Sequence, residues 1–181
     1  MKRASVFLMF LTVLGFAALA VAQEKKGEAK VELPAAVAKA VKDNFPNAEI
    51  DKMEVEEKAG ISLYDIEFKA GAGEIEVAED GTVIDIATII ELKDVPKPAA
   101  DAIQKAVEKA KAKIKQLEKS EIRAEVQEQG GKGKVVRLAT PKYLYEAELV
   151  RGNQTGEIEV SPDGKVVEPL KWEGEGKKKD Y

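Results

Sequence analysis

Residues 73–85 read GEIEVAEDGTVID and residues 156–168 read GEIEVSPDGKVVE, so the chain states nearly the same stretch twice. Each copy places two apolar residues at period two, Ile75 and Val77 or Ile158 and Val160, ahead of an Asp-Gly pair, Asp80-Gly81 or Asp163-Gly164. A β-branched run follows. Asp-Gly between alternating apolar runs marks a tight hairpin. The echo reaches further back, because Tyr145-Glu146-Ala147-Glu148-Leu149 matches Tyr64-Asp65-Ile66-Glu67-Phe68 position by position. The expected fold class is therefore α+β: two repeated units, each one helix packed on a four-stranded antiparallel sheet.

Upstream of the first copy, Leu33-Pro34 opens a helix, since proline is favoured where its missing N–H would have no partner. Val37, Val41 and Phe45 recur every four residues along one face, and Pro46 ends the helix near Asn44 by excluding the preceding residue from the helical region. Strands are expected over 48–58, 61–69, 73–79 and 82–92. Their alternation puts Met53, Val55, Tyr64, Ile66, Phe68, Ile75 and Val77 on one face, under the helix. Lys93 to Pro98 forms a proline-marked boundary. A second helix is expected from Pro98 to about Glu118, because Ile103, Val107, Ala110, Ile114 and Leu117 are spaced as one helical stripe. Strands follow over 121–129 and 134–150, broken or bulged at Thr140-Pro141. The expected units are 33–93 and 94–173.

The chain begins Met1-Lys2-Arg3, continues with an apolar run from Val6 to Val21 and reaches Ala20-Val21-Ala22 before Gln23. That is the pattern of a secretory signal peptide over 1–22, followed by a charged, flexible leader over 23–32. The expected location is periplasmic or secreted in a bacterium, with no stable membrane insertion after signal cleavage. A lysine-rich, disordered tail is expected over 174–181. The whole sequence carries a formal net charge of −4, and loss of Lys2 and Arg3 would make it more acidic, which argues against a nucleic-acid partner.

The 181 residues include no His and no Cys. Ser-His-Asp and Cys-His catalysis, the usual zinc ligand sets and thiol chemistry are thereby excluded, and no phosphate-binding glycine loop precedes a helix. No catalytic residue, no cofactor and no metal ligand is assigned, and the expected role is not enzymatic. The candidate surface is the polar side of the first sheet, where Glu54, Glu56, Asp65, Glu67, Glu74 and Glu76 fall on adjacent strands. Like charges directly opposite one another destabilise a sheet. Either this face binds a basic partner or a divalent cation, or Lys52, Lys58 and Lys69 dilute the charge and water solvates the rest. Glu146, Glu148, Glu157 and Glu159 repeat the theme, with Arg123 and Arg137 expected to mix into that face.

Leu33-Pro34, Phe45-Pro46-Asn47-Ala48 with Ile50, Tyr64 to Phe68 and Asp80-Gly81-Thr82-Val83 resemble the PepSY domain, as do Tyr145 to Leu149 and Asp163-Gly164-Lys165-Val166 in the second half. The resemblance spans about Leu33 to Ile90 and Val95 to Val167, although the second half has no Phe-Pro-Asn counterpart. Two such units in an exported chain resemble PepSY-like proteins of the β-lactamase-inhibitor-like group. The resemblance implies a non-catalytic envelope protein that recognises a protein or peptide and inhibits or restrains an envelope enzyme such as a peptidase. The alternative expectation is a Ca²⁺-responsive envelope protein that binds cations on its acidic sheet faces. The identity of the partner and the oligomeric state are left open by the sequence.

Overall fold

Two prolines set where the helices begin. In the computed structural model, which describes residues 33–173, Pro34 precedes α1 (Ala35–Asn44) and Pro96 precedes α2 (Lys97–Ala110). The signal peptide, leader and tail expected from the sequence lie outside the described residues. Phe45 leaves the helical region immediately before Pro46, as the clash between a proline ring and the residue before it requires. After α1 come β1 (Ile50–Lys58), β2 (Ile61–Phe68), β3 (Gly73–Ala78) and β4 (Val83–Ile89), and after α2 come β5 (Lys113–Gln129), β6 (Lys132–Arg151), β7 (Gln154–Val160) and β8 (Val166–Trp172).

The eight strands form one antiparallel sheet in chain order. This corrects the expectation of two repeated helix-on-four-strand units. β4 does not end a first sheet: Ala87, Thr88 and Ile89 pair with Ser120, Lys119 and Glu118 of β5, and the Ile90 N–H donates to the Leu117 carbonyl at 2.9 Å. Pairing satisfies the free N–H and C=O groups that an edge strand would present to water. The sheet is continuous because β5 begins much earlier than helical spacing suggests. Lys111 adopts a left-handed conformation and ends α2, and the chain enters β5 two residues later.

Ile114 and Leu117, three residues apart, looked like consecutive positions of a helical stripe. A register shift between Ile114 and Gln116 inserts an extra residue into β5, so that Ile114 opposes Leu149 and Leu117 opposes Ala147 on the same face. A bulge in a strand thus reproduced the spacing of a helix turn. A second irregularity falls where Pro141 predicted it: Ile122 opposes Lys142 while Ala124 opposes Arg137, leaving residues 138–141 outside the regular register.

Both helices cover one side of the sheet. Val37, Ala40 and Val41 of α1 pack with Ile66, Phe68, Ile75 and Val77, with Phe45 and Tyr64 at the margin and the Phe45 and Phe68 rings 4.3 Å apart. Ala99 and Ile103 of α2 pack with Leu117, Tyr145, Ala147, Leu149, Ile158 and Val160. Of the core residues read from alternation, Met53 and those from Tyr64 to Val77 lie under α1, but Val55, on the outer strand, is 50% exposed and is not covered. The Asp-Gly turns explain why the opening stretch recurs: Gly81 and Gly164 have φ of +83°, and a Cβ on them would lie 2.9 Å from the Ala36 carbonyl oxygen and 2.5 Å from that of Pro98. Each turn meets the start of a helix so closely, in a left-handed conformation, that glycine is required.

The outer halves of β5 and β6 form an arm that turns back over the side of the sheet opposite the helices. Ala124, Val126 and Val135 of the arm close over Leu63, Ala78 and Ile84. At its tip the Gly133 N–H donates to the Ala59 carbonyl at 2.7 Å, and the Arg137 guanidinium donates to the Thr82 hydroxyl at 3.1 Å.

Candidate functional site: an acidic sheet face

Period-two alternation that buries Ile66, Ile75 and Val77 under α1 drives their neighbours to the opposite side. The strand registers then line the acids up. Glu54 opposes Asp65, Asp65 opposes Glu76, and Glu76 opposes Asp85, so four carboxyl groups form one row across β1 to β4. Beside it Glu67 opposes Lys52 on one side and Glu74 on the other. In the second half Glu118 opposes Glu146 and Glu146 opposes Glu159, while Glu148 opposes Glu157. Directly opposed side chains in such pairs lie about 4.5–5.5 Å apart at Cβ.

All six residues singled out in the sequence share this face, but they are not equally placed. Glu54 and Glu56 on β1 are exposed, whereas Asp65, Glu67, Glu74 and Glu76 are half-buried. Lys52 bridges to Glu54 at 3.1 Å and to Glu67 at 3.6 Å, so it does dilute the charge. Lys69 is engaged by Glu49 instead. In the second half Lys115 holds Glu148 at 2.8 Å. Arg123 and Arg137 do not join the acids of that half: Arg123 pairs with Glu121 and donates to Asn44, and Arg137 reaches Thr82.

Sequence reasoning missed two members. Asp85 is 7% exposed and closes the first row, but the bulge between Glu76 and Val77 on the β3–β4 pair disguises which side it faces. Glu118 was assigned to a helix. The signal that could have found it is the alternation Gln116, Glu118, Ser120, which continues as a strand once a bulge is allowed.

Burial and crowding shift the acids upward. Loss of water raises Glu74 to about 9, with Asp65 and Glu118 adding repulsion. Burial first and neighbouring carboxylates second raise Glu146 to about 8, Glu76 to about 7 and Asp65 to about 6. Burial also lifts Asp85, against hydrogen bonds from Ser120 and the backbone of Ile86 and Glu121. One oxygen of Asp65 and one of Asp85 are buried without a hydrogen-bond partner. A buried acceptor left unsatisfied costs about 1–3 kcal/mol.

The face can therefore offer protonated carboxyl groups as donors and orphaned oxygens as acceptors. Among the described residues no three acids gather in a geometry that would hold a metal ion, so the cation expectation gains no site. No helix among them is long and apolar enough to cross a membrane.

No protein-family model matches this chain, and neither does any curated protein sequence. Solved structures do. A protein of Bacteroides eggerthii provisionally assigned to the periplasm is 14% identical, with a TM-score of 0.51 over 78% of this chain and 89% of that one, which shows a shared fold. A BLIP-like protein of Bacteroides fragilis is 13% identical, with a TM-score of 0.46 over 81% and 90% of the two chains. A DUF2874 family protein of Bacteroides uniformis is 14% identical, with a TM-score of 0.48 over 75% and 86%.

Proposed function

We propose that this chain is an exported, non-catalytic binding protein whose acidic sheet face recognises a basic segment of a protein or peptide in the bacterial cell envelope. One observation carries the reading: the row Glu54, Asp65, Glu76 and Asp85 faces one way in register and opens to water at its Glu54 end, beside Glu67. A lysine or arginine brought by a partner to that open end would relieve the mutual repulsion. The lack of His and Cys agrees with a role that requires no acyl-transfer or thiol chemistry. The periplasmic assignment of a protein with this fold agrees with an envelope location. Restraint of an envelope enzyme such as a peptidase is the form of recognition suggested by the PepSY-like residues.

The test compares capture from an envelope extract by the protein and by its Glu54→Lys/Glu67→Lys variant, both checked for native circular dichroism. A partner enriched by the wild type and reduced about tenfold by the charge reversal supports the reading; that ratio corresponds to roughly 1.4 kcal/mol. Identical recovery by both proteins, or nothing above background with the wild type, sinks it.

A further inference from the structure

The sheet has two outer strands, β1 and β8. They are not equivalent. β8 carries Pro169, which cannot donate to a ladder, so its edge is blunted in the usual way. β1 runs for nine residues without proline or glycine, and all of it except Lys52 and Met53 is exposed. Among the described residues nothing pairs with its outer side.

The two faces of β1 differ in chemistry. Met53 and Val55 oppose Ile66 and Tyr64 on the helix side, and Val55 is 50% exposed. Glu54 and Glu56 lie on the acidic side, and Glu56 takes part in no ion pair among the described residues. A strand laid against β1 would meet these residues alternately, one face apolar and the next acidic, at ordinary cross-strand distances of about 5 Å. A second copy of the same strand fits badly. Antiparallel pairing along the full length of β1 would set Glu54 against its own copy and Asp51 against Glu57 at both ends, repulsions that the two Lys52–Glu56 pairs of the same register offset only in part.

We propose that β1 is a docking edge for an extended segment of a partner protein that alternates basic and apolar residues and adds to the sheet as a further strand. Its main-chain groups bond those of β1, its lysines or arginines lie beside Glu54 and Glu56, and its apolar residues continue the surface of Met53 and Val55. The inference deepens the function proposed above and rests on it for the choice of a basic partner.

The test titrates the full chain with three fluorescent synthetic peptides: one alternating lysine and valine, one of the same composition with the lysines and valines in separate blocks, and the alternating sequence with every amide N-methylated. The expected result is that the alternating peptide binds at least about tenfold more tightly than the other two. Glu54→Lys/Glu56→Lys, at two exposed positions, is expected to abolish that preference. Equal binding of all three peptides overturns strand addition while leaving recognition by the acidic face intact, because charge is then all that is read. Binding of none of them overturns strand addition as well, and the extract experiment alone then decides the broader reading.

Discussion

The stretches 73–85 and 156–168 share most of their residues but not their surroundings. Glu74 and Glu157 occupy the same position in the two copies, yet Glu74 is raised to about 9 while Glu157 is displaced less. The difference lies in strand order. β3 sits inside the sheet, with β4 and then β5 beyond it and the arm over the same side, whereas only β8 lies beyond β7. Glu157 also opposes Lys171 on β8, while Glu74 opposes Ala87 on β4. Identical local sequence fixes which way a side chain points; its neighbours decide what that direction costs.

The sharpest way to break the comparison is to ask whether the two copies fold as one body. Ile75→Ala and Ile158→Ala remove equivalent, fully packed side chains, and each is expected to cost about 2–5 kcal/mol. Trp172 packs at the margin of the α2 core, with the Arg151 guanidinium 4.4 Å from its ring, so its fluorescence reports the second half. Because one sheet runs through both halves, Ile75→Ala should lower the urea midpoint seen by Trp172 fluorescence as much as that seen by far-ultraviolet circular dichroism. A Trp172 midpoint that stays at the wild-type value would refute the continuous sheet.

Glu74→Gln and Glu157→Gln sharpen the comparison electrostatically. A carboxyl group whose folded value is raised holds a proton that the unfolded chain has already released. Between its ordinary value of 4.5 and about 9, the folded state therefore binds more protons at Glu74, and stability falls as pH rises through that window. Glu74→Gln should add about 2–3 kcal/mol at pH 8 and little near pH 4.5, with a smaller gain for Glu157→Gln. Urea titrations at the two pH values check this, and equal gains from both variants would show that the copies share one environment.

The last comparison is at the turns. Gly81→Ala and Gly164→Ala each force a side chain into a left-handed conformation, at about 1–2 kcal/mol before the clash of the new Cβ with a helix carbonyl is counted, and the closer approach of the Pro98 carbonyl makes Gly164 the more sensitive. Thermal melts that rank them the other way would show that α1, not α2, is held harder against its turn.

Much of this architecture was legible in the sequence. Pro34 and Pro98 announced the helices, the second one residue later than its observed start at Lys97, the Asp-Gly pairs announced the hairpins, and alternation named the core from Tyr64 to Val77. The six acids of the first half were legible as one face for the same reason. The errors share a cause as well. Ile114 and Leu117 were read as helix because a bulge restores a three-residue spacing, and the bulge beside Glu76 concealed Asp85. Periodicity is a local signal, and a single inserted residue changes its meaning.

By itself, then, the sequence determined where the helices open, where the Asp-Gly hairpins turn and which side of β2 and β3 is apolar, since those follow from proline, glycine and side-chain alternation within a few residues. Only the tertiary structure decided that β4 pairs with β5, that the arm folds over the acidic side, and that some carboxyl groups there are buried while others stay in water. Those outcomes depend on which open edge finds a partner far along the chain, and hydrogen bonding between backbones carries no record of that choice in the side chains.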